Sequence, residues 1–283
     1  MSTSTPPVQP MAIKPPDQQE IVIVSHSTLF YWWPVWALGF VFFLLTLFVN
    51  PHLMALVPPG TLAEKQRPVL GPDDPRDVLI LPKGGKLLED PHNPGNPLPL
   101  KVHVSPSKSY GVVFAIMLFL VVLITNVPLR GLWSVMVLVV ILLLTIILWL
   151  AGWWERILAS LDQLQIYINA GGYLTISILL FGLWFVTFVF FDRQIYMVFS
   201  PGQLKVRQEI GGGESTFPTQ GINFQKQRSD LFRHWILGLG SGDLIVKTSG
   251  ANPQHFEMHN VLFVGYKVKQ IDEMLREVPI VKG

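Results

Sequence analysis

"YLTISILLFGLWFVTFVFFDRQIYMVFSPGQLKVRQE", residues 173–209, changes its period at Asp192-Arg193. Before that point Tyr173 to Phe191 gives nineteen residues without a charge, enough for a helix to cross about 30 Å of hydrocarbon. After it, Ile195–Phe199 and Leu204–Glu209 alternate around Ser-Pro-Gly-Gln, a strand-turn-strand pattern. A membrane segment therefore runs into a β-domain with almost no linker.

Upstream lie three more runs of the same kind, Leu29–Val49, Tyr110–Val127 and Gly131–Ala151, none containing Asp, Glu, Lys, Arg or His. Aromatic residues mark their ends: Tyr31, Trp32, Trp33 and Trp36 on the first, Trp149, Trp153 and Trp154 on the third, and Tyr173 on the fourth, the pattern of a membrane-interface belt. Residues 126–130 are too few for anything but a turn, so the second and third spans form a hairpin. Four spans place both termini on one side. The composition agrees: 50% of the 283 residues are hydrophobic and 14% charged, against about a quarter charged in a soluble domain. Charged residues inside a bilayer are costly and usually functional, so their absence argues against an ion-coupled transporter. Thr46, Thr125, Asn126, Ser134, Thr145, Ser177 and Thr187 read as packing residues.

Outside the spans the chain divides into four parts. Residues 1–28 are polar and Pro-rich, without the pattern of a cleavable signal, and are expected to be disordered. Residues 51–109 hold 12 of the 23 prolines with seven basic and six acidic residues, an extended or partner-ordered loop. "LILPKGGKLL" within it offers a hairpin through Gly84-Gly85. Residues 153–170 put Ile157, Leu158, Leu161, Leu164 and Ile168 on one face, an interfacial helix or an extension of the third span, broken by Ala170-Gly171-Gly172. From 192 to 283, strands at 222–228, 243–248 and 255–259 follow the first two, and a helix from about Val261 to Glu277 closes the chain. The fold class is α+β: four transmembrane helices, then a small antiparallel β-barrel or sandwich with a C-terminal helix.

"INFQKQRSDLFRHWILGLGSGDLIVKTSG", "FEMHNV" and "KVKQIDEMLRE" together resemble the pleckstrin-homology-like (PH-like) domain of bacterial membrane proteins. "SHSTLFYWWPVW", residues 25–36, is similar to the entry into the first span of such proteins. The resemblance covers about residues 194–277 and implies a fold more than an activity: an interaction or envelope role at the cytoplasmic face of the inner membrane.

The chemistry of catalysis is thin. There is no cysteine and the net charge is +2, which removes thiolate chemistry and gives nucleic acid no field to follow. "GLGSGD", residues 238–243, precedes a strand, whereas a phosphate loop needs a helix N-terminus. His255 and His259 share a strand face about 13 Å apart, too far for one metal ion. The expectation is a non-enzyme without cofactor or metal, with the bilayer and a protein partner or a second copy as its contacts. One surface candidate stands out: Lys226, Arg228, Arg233 and His234 with Phe232 and Trp235, a basic and aromatic turn for anionic headgroups or a partner. Phe232 and Trp235 as core residues is the competing reading.

Overall fold

The computed structural model describes residues 20–49, 51–69, 75–127, 131–227, 230–249 and 253–276. In chain order the elements are β1 (Ile21–Val24), α1 (Thr28–Val49), β2 (His52–Leu53), β3 (Leu62–Pro68), β4 (Pro75–Ile80), β5 (Glu89–Asp90), β6 (Asn93–Pro97) and β7 (His103–Val104). Then come α2 (Ser109–Asn126), α3 (Leu132–Leu150), α4 (Trp154–Asp162), α5 (Ala170–Gln194), β8 (Tyr196–Ser200), β9 (Gln203–Arg207), β10 (Ser215–Pro218) and β11 (Asn223–Gln227). A short helical turn, Phe232–Leu237, leads to β12 (Gly242–Lys247), β13 (His255–Val261) and α6 (Val264–Arg276). Among the described residues the architecture is α+β, with small antiparallel sheets and four helices, α1, α2, α3 and α5, long and apolar enough to cross a membrane.

The chain divides into two compact units, each discontinuous in sequence. The first comprises residues 1–32, 122–145 and 182–283. Its centre is a four-stranded sheet, β1-β8-β9-β10, and a three-stranded sheet, β11-β12-β13. Alternation places Met197, Phe199, Leu204 and Val206 of the first sheet in one core with Leu244, Val246, Phe256 and Met258 of the second. Val264, Ile271 and Met274 of α6 join that core. None of the sheets closes into a barrel. Among the described residues, β10 pairs with β9 alone and β11 with β12 alone, so the two strands stand as edges.

β1 departs from the expectation of disorder over residues 1–28. Residues 1–19 lie outside the described residues, but Ile21–Val24 pairs antiparallel with β8, Ile23 opposite Met197. Ile23 is fully buried in the shared core. Four apolar residues find their partner strand beyond all four long helices, so the segment that precedes the first span is a strand of the C-terminal domain. Lys267 of α6 donates to the Val22 carbonyl at 3.2 Å, and burial pushes its ammonium down from the usual lysine range.

The second unit comprises residues 33–121 and 146–181. Gly39 of α1 packs where Ser177 of α5 leaves no room for a side chain, which fixes the close approach of the two helices. Phe42 stacks on Tyr110 at 5.0 Å and packs on Tyr173 at 5.6 Å, joining α1, α2 and α5. Trp36 meets Phe181 edge-on at 5.0 Å. Residues 51–109 are more ordered than an extended loop: β2 pairs with β7, β3 with β4 and β5 with β6. The hairpin expected at Gly84-Gly85 is not formed. A turn is there, with Gly85 N donating to the Pro82 carbonyl at 2.7 Å, but Leu79 and Ile80 pair backwards with Ala63 and Leu62.

Two further boundaries shift. α4 ends at Asp162, short of the helix expected to 170, and Gln165 has φ +44°. Ala170-Gly171-Gly172 opens α5 instead of breaking a helix. Asn169 accepts a hydrogen bond from Gly172 N at 2.5 Å and so caps the helix start. The turn at Pro128–Arg130 lies outside the described residues.

Candidate functional site

The first unit holds a buried polar junction where β1, the start of α1, the end of α5 and the β11-β12-β13 sheet meet. Its hub is Tyr31, fully buried although the sequence places it in the aromatic belt. The hydroxyl donates to Asn260 Oδ1 at 2.7 Å and lies 3.1 Å from His234 Nδ1 and 3.2 Å from Ser241 Oγ. Asn260 in turn donates from Nδ2 to the His26 carbonyl at 2.7 Å. It does so from φ +54°, a left-handed conformation that asparagine tolerates better than most residues.

The loop after the Phe232–Leu237 turn is shaped around this hub. A Cβ on Gly238 would fall 2.8 Å from Tyr31 Cε1 and against Ser241 Oγ, so only glycine fits. Gly240 has φ +84°. Ser241 then presents its hydroxyl, and Asp243 accepts from Asn260 N at 3.0 Å. "GLGSGD" is thus a socket for a tyrosine. Burial alone would push the Asp243 carboxyl up. The imidazoles of His234 and His259, each with a nitrogen 3.7 Å from the carboxylate, and the hydrogen bond from Asn260 N outweigh it and hold the group well below the usual carboxylate range.

A second link joins the same elements nearer the span ends. His26 Nδ1 lies 3.1 Å from Asp192 Oδ2, both side chains buried, and Ser27 N donates to Asp192 Oδ1 at 3.2 Å. The imidazole stacks on Phe188 at 4.9 Å and on Phe30 at 5.5 Å. Ser25 and His259 exchange hydrogen bonds, Oγ to carbonyl at 3.0 Å and N to Oγ at 3.1 Å. Beside this link opens a cavity of about 530 Å³, bordered by His26, Thr187, Ile210, Arg233 and His259.

Ser241, His234 and Asp243 superficially match a nucleophile, base and orienting acid, with Oγ 3.2 Å from Nδ1 and Nε2 3.7 Å from Oδ2. Ser241 is fully buried beneath Tyr31 and is not among the residues that border this cavity. The arrangement is a latch between chain segments distant in sequence.

The structure separates the basic and aromatic turn that the sequence groups. Lys226 is exposed on β11, and Arg228 lies outside the described residues. Arg233 is turned inward, its side chain 12% exposed, with Nε 3.7 Å from Asp230 Oδ2 and Nη2 3.4 Å from the Thr125 carbonyl that accepts from it. It helps to hold the turn and also borders the cavity beside His26. Phe232 is half-buried, but Trp235 is 68% exposed beside the equally open Ile236 and Leu239, which overturns the core reading for Trp235. Leu231 N donates to Ser134 Oγ at 3.1 Å, so this apolar tip is fixed against the α2–α3 ends. Of the interface aromatics, Trp149 and Trp153 are exposed, while Trp32, Trp33, Trp36 and Trp154 are half-buried. His255 and His259 flank Glu257 on the outer face of β13, at 3.0 Å and 3.8 Å.

The residues that sequence reasoning missed are Tyr31, Ser241, Asn260 and Asp192. Their signal was polar side chains bordering apolar runs, which a tally of catalytic motifs passes over. No family model, curated protein or solved structure matches the chain.

Two outcomes follow from the junction. Tyr31→Phe strands Asn260 Oδ1 in a buried site and should lower the stability of the full chain by about 1–3 kcal/mol, read from urea unfolding in detergent; an unchanged midpoint would contradict the hub. The depressed Asp243 carboxyl stabilises the fold fully above its unfolded value of about 4 and loses that contribution as the pH falls below it. Asp243→Asn should therefore flatten the loss of stability between about pH 5 and pH 2, and an undiminished acid slope would assign that loss to other groups.

Proposed function

We propose that this chain is a membrane-fixed interaction module: a PH-like domain, with α6 as its cap, held at the cytoplasmic face of a bacterial inner membrane by the helices it encloses in sequence. The observation that carries this reading is the pair of edge strands. β10 and β11 present mostly exposed residues and leave backbone groups without a strand partner among the described residues. Such edges accept an extended segment by strand addition, with main-chain hydrogen bonds giving affinity and alternate side chains giving selectivity. The partner class is therefore a peptide segment of another protein or of a second copy. The buried junction serves this role by fixing the orientation in which the edges face the cell interior.

A second reading, contact with lipid headgroups and the bilayer interface, is supported by the exposed Trp235, Ile236 and Leu239 beside the ends of α2 and α3. With Arg233 engaged internally, its apolar component outweighs its basic one. The two contacts involve different surfaces and are compatible.

One experiment separates them. The chain has no cysteine, so single cysteines at Thr216, Gln225, Trp235 and Lys269 can each carry a photoreactive label in native membranes. Protein adducts at 216 and 225, lipid adducts at 235 and neither at 269 are expected. Protein adducts at 269 but not on the edges would overturn the interaction reading, and an absence of lipid adducts at 235 would remove the second.

A further inference from the structure

The second unit carries a groove that the interaction module does not use. It has a volume of about 740 Å³, within the range of small-molecule sites, and its walls are almost wholly hydrocarbon. Leu56, Leu79, Leu88, Leu98 and Leu100 line it, each at least 42% exposed to solvent. So large a contiguous apolar surface on an ordered segment marks a binding site. Three ionisable side chains border it. Asp90 keeps its charge while accepting from His92 N at 2.9 Å, and Lys101 is the strong cation among the three.

The position of the groove identifies its occupant. β2 begins three residues after α1 ends at Val49, and β7 ends five residues before α2 begins at Ser109. β2 and β7 pair directly, and the ladder continues as Met54 N donates to the Val102 carbonyl at 2.8 Å. Met54 and Val102 are themselves groove residues. At about 3.3 Å per residue, the groove begins at most some 16 Å from the end of the first span, within a lipid chain's reach of the headgroup layer, which extends about 5–8 Å beyond the hydrocarbon. A soluble hydrophobic ligand would need no such continuity with two spans.

We infer that this groove binds the hydrocarbon chain of an anionic membrane amphiphile, drawn from the leaflet at the exits of α1 and α2, with Lys101 facing the acidic head. Paired two-residue strands form its neck, and its walls combine irregular stretches at 54–57, 87–88 and 98–102 with the ends of β4, β5 and β6. The walls keep their leucines spread open instead of collapsing on one another, which is what a chain-shaped site requires.

The test uses the full chain in nanodiscs of phosphatidylcholine containing either a photoreactive fatty acid or a photoreactive phosphatidylglycerol, with the adducts mapped by peptide mass spectrometry. Labelling of segments 54–57 and 98–102 is expected, reduced at least fivefold by Leu56→Glu with Leu98→Glu. Labelling of the spans should be unchanged by that pair and serves as the folding control. Leu62→Glu, at a residue 67% exposed but outside the groove, should leave groove labelling intact. Lys101→Glu should weaken labelling by both probes, and the stronger of the two identifies a free acid or a phospholipid as the source. Labelling confined to the spans, or equal loss with Leu62→Glu, would overturn the inference.

Discussion

Everything in the first unit depends on a single phenol. Tyr31 sits at the threshold of the first long helix, and its hydroxyl touches three side chains that belong to the far end of the chain: His234, Ser241 and Asn260. A buried hydroxyl without partners is costly, and the same holds for each group it satisfies. The cheapest arrangement is the one in which all four meet, and it draws the entrance of α1 into the C-terminal domain. Asn260 passes the constraint on to the His26 carbonyl, and His26 passes it to Asp192 at the end of α5. Two helix ends are thereby tied to one sheet by side chains instead of by a linker.

For the function proposed above, the consequence is mechanical. A module on a flexible tether samples many orientations, whereas one latched to two helix ends presents the same edges to the same side. β10 and β11 gain from this if their partner is also confined to the membrane, because pre-orientation lowers the entropy cost of binding. The exposed tip at Trp235 lies beside the contacts to Ser134 and Thr125 that brace the domain against the helical hairpin. Polar bonds hold the turn, and its apolar face stays exposed.

The long helices were legible in the sequence because their runs contain no charge, and β8, β9, β11, β12 and β13 because alternation at period two survives single-sequence reading. β1 was not. "IVIV" has no polar residue to show alternation, and its partner lies beyond all four spans, where local pattern cannot reach. Ala170-Gly171-Gly172 read as a breaker because glycine lowers helix propensity, but the cap at Asn169 decides the boundary. The packing of the basic turn was illegible for a related reason. Arg233 counts as a surface cation by composition, while Asp230, three residues earlier, draws it inward. In the loop of residues 51–109, the proline count argued correctly against a conventional core. It did not exclude short ladders that hold a groove open.

The central claim is that residues 21–24 are a strand of the C-terminal domain and not a leader to the first span. Hydrogen exchange of the full chain in nanodiscs measures this directly, peptide by peptide. The account predicts that the amides of Ile23 and Ser25, which face β8 in this register, exchange as slowly as those of their partner strand, residues 196–200, and that Tyr31→Phe loosens both together. Rapid exchange across 21–24 with 196–200 fully protected would contradict it, and would leave the β-domain closed without its N-terminal strand.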